Sequence, residues 1–411
     1  MKKSLLFLSV TVFLNMALTV ISRLFTDFSE WYAMNVYPVF VAVIARITGI
    51  FPFSLAEILL MLLIPAALAG VVFAVIKLVK SKGKRKRVLI KTAVYFSCAV
   101  STALLVFMLN CGINYYRRPF LNKEGFGASE YSQAELWTVY LMVLDEFCEI
   151  ASLIDTDADG AFILTSNLDK AAPDALRAAA EKYPRLKSYY PRPKPVLNSG
   201  LMSDARIIGI FSPFTIEANY NKIAPLSQKP SAVCHELAHL AGFMREEEAS
   251  FISFVACRES GVPDLMYSGY LDLYGYISRE LEWMDENLYG SLPDYTKHAL
   301  DRYIGRLDFE EPFSFEVFGG FGAYDLLPEQ AREELIRRYD FWQSRVRKIT
   351  YEIDDNGKLV EVITSNPVSE IIGDISGNIN DTYLKAQGQS GGVGSYGRMV
   401  DLVVAEYLSS Y

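Results

Sequence analysis

Cys234 to Phe251 reads CHELAHLAGFMREEEASF. Within it, His235-Glu236-Leu237-Ala238-His239 places two imidazoles four residues apart, and on a helix such residues share a face. Both rings can therefore reach one zinc ion, and Glu236 projects beside the open coordination position, where it can take a proton from water. The flanks, Ala-Val-Cys before and Leu-Ala-Gly-Phe after, are apolar, as expected of a helix buried under a cleft. Only three histidines occur in the 411 residues, and two of them are these.

A catalytic zinc has three protein ligands and keeps one position for water. Glu246 lies 11 residues beyond His235, which on an unbroken helix is ~16 Å along the axis. A turn at Gly242 would fold the following segment back, since glycine tolerates the backbone conformation needed. Three acids then compete: Glu246, Glu247 and Glu248. An ExxA[S/D/N] arrangement recurs where glutamate is the third ligand, and it selects Glu246 ahead of Ala249 and Ser250. Glu248 remains open as the ligand or as an acceptor orienting a histidine. Glu247 fits an acidic helix start best.

Toward the N-terminus the chain becomes apolar. Overall 51% of residues are hydrophobic and 21% charged, with a mean hydropathy of +0.17, which excludes disorder and an all-aqueous surface. Three stretches, about 4–22, 58–76 and 92–113, are long enough to cross a bilayer of ~30 Å. Tyr37 to Phe53 is apolar but interrupted by Arg46, Gly49 and Pro52, so it reads as an interfacial or outward-facing segment. Lys77 to Lys91 carries eight Lys and Arg between the second and third spans. Positive charge stays cytoplasmic. The expectation is a multi-pass protein of the cell membrane, with a cytoplasmic N-terminus and an extracytoplasmic region after residue 114.

Net charge supports that division. Through Lys91 there are 12 Lys and Arg against 3 Asp and Glu, and beyond it 28 against 45. An acidic domain of that balance excludes nucleic acid as a partner. The lipid bilayer and a peptide or protein substrate are the partners expected. Five cysteines without a CxxC pair exclude a disulfide scaffold and a cysteine zinc ribbon.

Residues 1–114 thus read as a membrane anchor with three transmembrane helices, and 115–411 as a mainly α domain with a minor β-sheet. Ser132-x-x-Glu135 is a capping box opening a helix. Ile207 to Phe211 is a short β-rich run that could pair with an extended substrate. Asn356-Gly357 lies between β-rich arms, a hairpin signal. Asp155 to Gly160 begins like a calcium loop, but Ser166 stands where a bidentate Glu is needed, so it reads as a polar turn. For the oxyanion of an acyl-transfer reaction, Tyr396 and Arg398, in a loop carrying Gly394 and Gly397, are the candidates; Tyr383 is weaker, and His298 reads as exposed.

Five stretches together resemble the DUF3810 family of bacterial membrane proteins, related to HExxH zinc metallopeptidases. They are FPFSLAEILL (Phe51 to Leu60), INYYRRPF (Ile113 to Phe120), GIFSPFTIEANYN (Gly209 to Asn221), the zinc-helix block, and NDTYLKAQGQSGGVGSYGRMVDL (Asn380 to Leu402). Family members tend to carry Asn where this chain has Ser250. The resemblance implies a zincin-like domain and a peptidase, without a substrate. The expectation is a membrane-anchored Zn2+-dependent hydrolase using His235, His239 and Glu246 with Glu236 as general base. The alternative is a non-catalytic protein in which zinc braces the domain or senses a ligand, which would leave Glu236 without a role. Intramembrane cleavage is excluded, because His235 lies ~120 residues beyond the last span.

Overall fold

The computed structural model describes residues 1–81, 83–121, 131–305, 314–353, 359–387, 389 and 398–409. Five helices form the N-terminal part: α1 (Lys2–Leu24), α2 (Thr26–Asn35), α3 (Tyr37–Thr48), α4 (Leu55–Lys80) and α5 (Arg85–Asn110). α1 and α5 pack along each other through polar groups that lipid could not satisfy. Asn15 Nδ2 donates to the Ser101 carbonyl at 3.0 Å, and Ser101 Oγ donates to Thr11 Oγ1 at 2.9 Å. The most apolar stretch of α4 buries nothing within the protein, as a lipid-facing helix should.

Four stretches, rather than the three expected, are long and apolar enough to cross a membrane: 2–24, 26–48, 55–80 and 85–110. The additional one, α2 with α3, escapes a hydropathy reading because its breakers sit at helix ends. Pro38 lies in the first turn of α3, where its missing N–H costs nothing, and Gly49 caps the last. It differs from the others in packing. Tyr37, Val41 and Ala45, four residues apart, are fully buried against the following domain. The third expected span ends early, at Asn110, where Gly112–Tyr116 tightens into a 3₁₀ turn.

The rest is mainly helical with a small sheet. In order come α6 (Gln133–Ala151), α7 (Leu168–Lys182), β1 (Lys194–Val196), α8 (Ser199–Asp204), β2 (Gly209–Ser212), β3 (Glu217–Asn221), α9 (Lys229–Leu240), α10 (Glu246–Glu259), α11 (Pro263–Glu280), α12 (Glu286–Ser291), α13 (Asp294–Ile304), α14 (Phe315–Phe318), α15 (Glu329–Val346), β4 (Arg347–Ile353), β5 (Leu359–Ser365), α16 (Pro367–Ala386) and α17 (Met399–Ser409). The expected capping box opens α6: Glu135 N donates to Ser132 Oγ, and Ser132 N to Glu135 Oε2. The helix pair α9–α10 packs on α7 and α11, burying Trp137, Phe147, Phe251, Phe254 and Tyr270 in one core.

β1, β3 and β2 form a sheet in that spatial order, β1 parallel and β2 antiparallel to β3, so β2 is an edge. β4 and β5 pair antiparallel with Ile353 opposite Leu359, as a hairpin; the Asn356-Gly357 turn itself lies outside the described residues. α16 has no counterpart in the sequence reading. Gly373, Gly377 and several isoleucines lower its intrinsic helix preference, and its formation rests on packing. The Asp155–Gly160 run is a turn: Asp157 accepts from its own neighbours, Asp159 N and Ala161 N, both at 2.9 Å.

Candidate metal centre

α9 stops where Gly242 adopts φ +91°, a left-handed conformation that side chains disfavour. Phe243 N then bonds the Ala238 carbonyl at 3.1 Å and Gly242 N the His239 carbonyl at 2.9 Å, which closes a Schellman turn. The turn reverses the chain and α10 begins at Glu246. Its carboxylate reaches back between the histidines: Oε2 lies 3.1 Å from His235 Nε2 and 3.5 Å from His239 Nε2.

One ligand atom from each of His235, His239 and Glu246 lies within 4.8 Å of the others. Bonds of ~2.0–2.1 Å in a tetrahedron place neighbouring ligand atoms ~3.3 Å apart, so the two carboxylate–imidazole separations are those a zinc ion would impose. Each imidazole is also oriented from behind. Phe243, released by the Schellman turn, offers its carbonyl to His239 Nδ1 at 2.8 Å. Ser250 Oγ stands 3.4 Å from His235 Nδ1. A donor proton on Nδ1 leaves the Nε2 lone pair facing the cluster, the tautomer a metal needs. The donor set therefore fits a three-ligand zinc centre with an open position.

Electrostatics follow from this packing. Burial opposes charge on His239, but the Glu246 carboxylate outweighs it and raises the imidazole to about 9. Burial likewise opposes ionisation of Glu246, and the two imidazoles hold its carboxyl well below the usual range. Glu236, on the same helix, is 6% exposed, and burial raises its carboxyl, which the neighbouring imidazoles partly offset. The backbone of edge strand β2 lies beside its carboxylate, with Phe211 helping to stabilise the charged form. The Phe211 ring lies 6.5 Å from that of His239. The β-rich run read at Ile207 to Phe211 thus lies directly over the site.

The three consecutive acids diverge, because successive helical positions point ~100° apart. Glu246 enters the cluster. Glu247 accepts from Gln389 Nε2 at 2.7 Å and Arg398 Nη2 at 3.1 Å. Glu248 Oε1 accepts from Phe120 N and Arg245 Nη1, both at 2.8 Å, and so holds the chain emerging from α5. Arg398 is thereby engaged at α10, away from the triad. Tyr396 lies outside the described residues, and His298 is exposed on α13.

Tyr383, the weaker expectation, is one of three tyrosines, with Tyr115 and Tyr276, that packing brings within reach of the Glu246 charge. It sits on α16, close enough to feel the Glu246 charge, and accepts from Tyr115 Oη at 3.0 Å. Burial raises its phenol far above the ordinary value, so it stays protonated.

The centre is built against α3 and the segment that follows α5. Tyr37 Oη donates to the Leu240 carbonyl at 3.1 Å, and Arg117 Nη1 to the Gly242 carbonyl at 3.2 Å. The Arg117 guanidinium is buried over the Phe243 ring and paired with Glu30. None of these partners could be read from sequence, since they lie 87 to 203 residues apart.

Residues 32–304 and 322–404 match the family described as "Protein of unknown function (DUF3810)", and the chain belongs to that family. No curated protein and no solved structure matches the chain.

Proposed function

We propose that this DUF3810 member is a membrane-anchored zinc hydrolase that cleaves peptide bonds outside the cytoplasm. The observation that carries the reading is the triad His235–His239–Glu246, with both Nε2 atoms turned to one point and Glu236 buried beside it. A purely structural zinc would be served by a closed fourth ligand and has no use for a buried carboxylate at the open side.

His235, His239 and Glu246 would hold the ion, which supplies Lewis acidity and a lowered pKa for water. Glu236 accepts the proton of the attacking water and returns it to the leaving nitrogen. Burial opposes its ionisation, and the close packing of Gly209 on β2 limits where its carboxylate can lie. β2 offers an edge to which an extended peptide can add as a strand. Tyr383, protonated throughout the working range, supplies an O–H near the developing charge.

Orientation follows from the basic loop. With Lys2 and Lys3 cytoplasmic, a fully crossing 26–48 segment would make four spans and put Lys77 to Lys91 outside, against the positive-inside tendency. With that segment packed on the domain instead, three spans remain, the loop is cytoplasmic, and the centre faces outward.

The test uses the full-length protein in detergent, because residues 30–57 hold the domain. Wild type should bind one zinc and cut a peptide panel; Glu236→Gln should keep the zinc and lose cleavage; His239→Ala should lose both. Absence of zinc from wild type, or undiminished cleavage by Glu236→Gln, would refute the reading.

A further inference from the structure

We infer that the centre acts on polypeptide segments at the point where they leave the bilayer, so that its substrate is membrane-tethered and is cut within a few residues of its span. This rests on the hydrolase reading and adds a substrate class to it.

The first observation is where β2 ends. Phe211 lies over the centre, its ring 6.5 Å from that of His239, and Gly209 two residues before it packs on Glu236. Two residues on, ~7 Å along an extended chain, the Pro213 carbonyl accepts from Asn110 Nδ2 at 2.8 Å. Asn110 is the last residue of α5, at the end opposite the basic loop. Glu217, paired across the sheet with Ser212, accepts from Ala56 N at 2.8 Å and Leu55 N at 3.3 Å, in the first turn of α4. The same carboxylate is buried against Lys194. The end of the sheet is therefore fixed to the outer ends of two spans. A substrate strand laid along β2 would have one terminus at the lipid surface.

The second observation is exposed apolar surface on β2, its turn and α16. Ile210 and Phe214, on β2 and its turn, are 49% and 51% exposed. On α16, Val368, Ile371, Ile375 and Ile379 form an exposed stripe at helical spacing. The opposite face of α16 is occupied: Ser369 Oγ bonds Asp204, and Gly373 lies against Arg206. The last turn of α16 carries Tyr383 and accepts from Arg23, at the outer end of α1, through the Ala386 carbonyl at 3.3 Å. An exposed stripe of this kind, on a helix whose last turn is tied to the end of α1, suits a lipid surface. The site lies beyond the spans, so bonds inside the bilayer are out of reach, while a chain just emerging is delivered to it at high local concentration.

The experiment places zinc-loaded full-length protein in vesicles of phosphatidylethanolamine and phosphatidylglycerol with one randomised stretch of about 12 residues (~40 Å extended) in three forms. In the first it directly follows a single apolar span; in the second a flexible linker of about 30 residues, ~30 Å in mean reach, separates the two; the third is soluble. Mass spectrometry reads rates and cut positions. The expected result is cleavage of the first form at least about tenfold faster than either other, with cuts within about six residues (~20 Å) of the span. Equal or faster cleavage of the displaced or soluble form overturns the substrate class and leaves the hydrolase reading intact. Failure to cut any form, with zinc bound, overturns the hydrolase reading, and this inference falls with it.

Discussion

Gly209 and Glu236 share one space: a methyl group at Gly209 would stand 2.6 Å from Oε1 of Glu236 and 2.7 Å from its Cγ. Edge strand β2 can lie over the proposed general base only because this residue has no side chain. Gly209→Ala should keep the zinc, since no ligand moves directly, yet push Glu236 out of line. Hydrolysis should fall about 10- to 100-fold, a part of what a positioned base contributes. Metal analysis beside peptide turnover checks this, and undiminished turnover would show that Glu236 is not held by β2.

The two flanking acids of α10 should separate metal binding from stability. Glu246→Ala removes a ligand and should abolish zinc retention. Glu248→Ala should leave zinc bound but strip the acceptor from Phe120 N and Arg245, costing about 2–3 kcal/mol. Denaturant unfolding and zinc titration on both variants would expose a reversed assignment.

Gly242 combines a positive φ with close packing. An added Cβ would meet the Tyr37 ring at 3.1 Å, on top of about 1–2 kcal/mol for a left-handed backbone. Gly242→Ala should lower the unfolding midpoint and weaken zinc binding together, because the same turn places Glu246 and the Phe243 carbonyl. A drop in stability with unchanged zinc affinity would argue that the turn and the centre are independent.

Tyr383 accepts from Tyr115 at 3.0 Å and lies 3.6 Å from Cys111 Sγ. Tyr383→Phe should reduce kcat by about 10²-fold with little change in KM, the pattern of a donor used in the transition state. A change confined to KM would make Tyr383 a substrate-contact residue instead.

Stability in acid should depend on Glu406. Burial opposes its ionisation, but Arg258 at 2.7 Å, with Tyr183 and Lys182, holds its carboxyl below the ordinary value of 4.5. A carboxyl depressed by folding contributes stability that is complete above the unfolded value and is lost as pH falls through the folded one. Wild type should therefore lose unfolding midpoint steeply below about pH 4.5, and Glu406→Gln should be less stable at neutral pH but flatter in acid. Parallel pH profiles would remove Glu406 from the account.

What the sequence determined is what short-range chemistry can encode. His235 and His239 share a face by helical period, Gly242 marks the reversal, Ser132 and Glu135 cap α6, and the apolar runs mark the spans. Each depends on residues within a few turns of one another. The tertiary structure alone decided the rest. Local spacing favours Glu246 but leaves Glu248 open, since both follow the turn; the partners at residues 235, 398 and 120 separate the three acids. Nor could hydropathy show that the 26–48 segment turns Tyr37 onto Leu240, or that α16 forms at all. Five sequence stretches far apart meet where α1 ends, α4 begins and α5 ends, and their meeting place is fixed by long-range hydrogen bonds and burial, which a one-dimensional pattern does not contain.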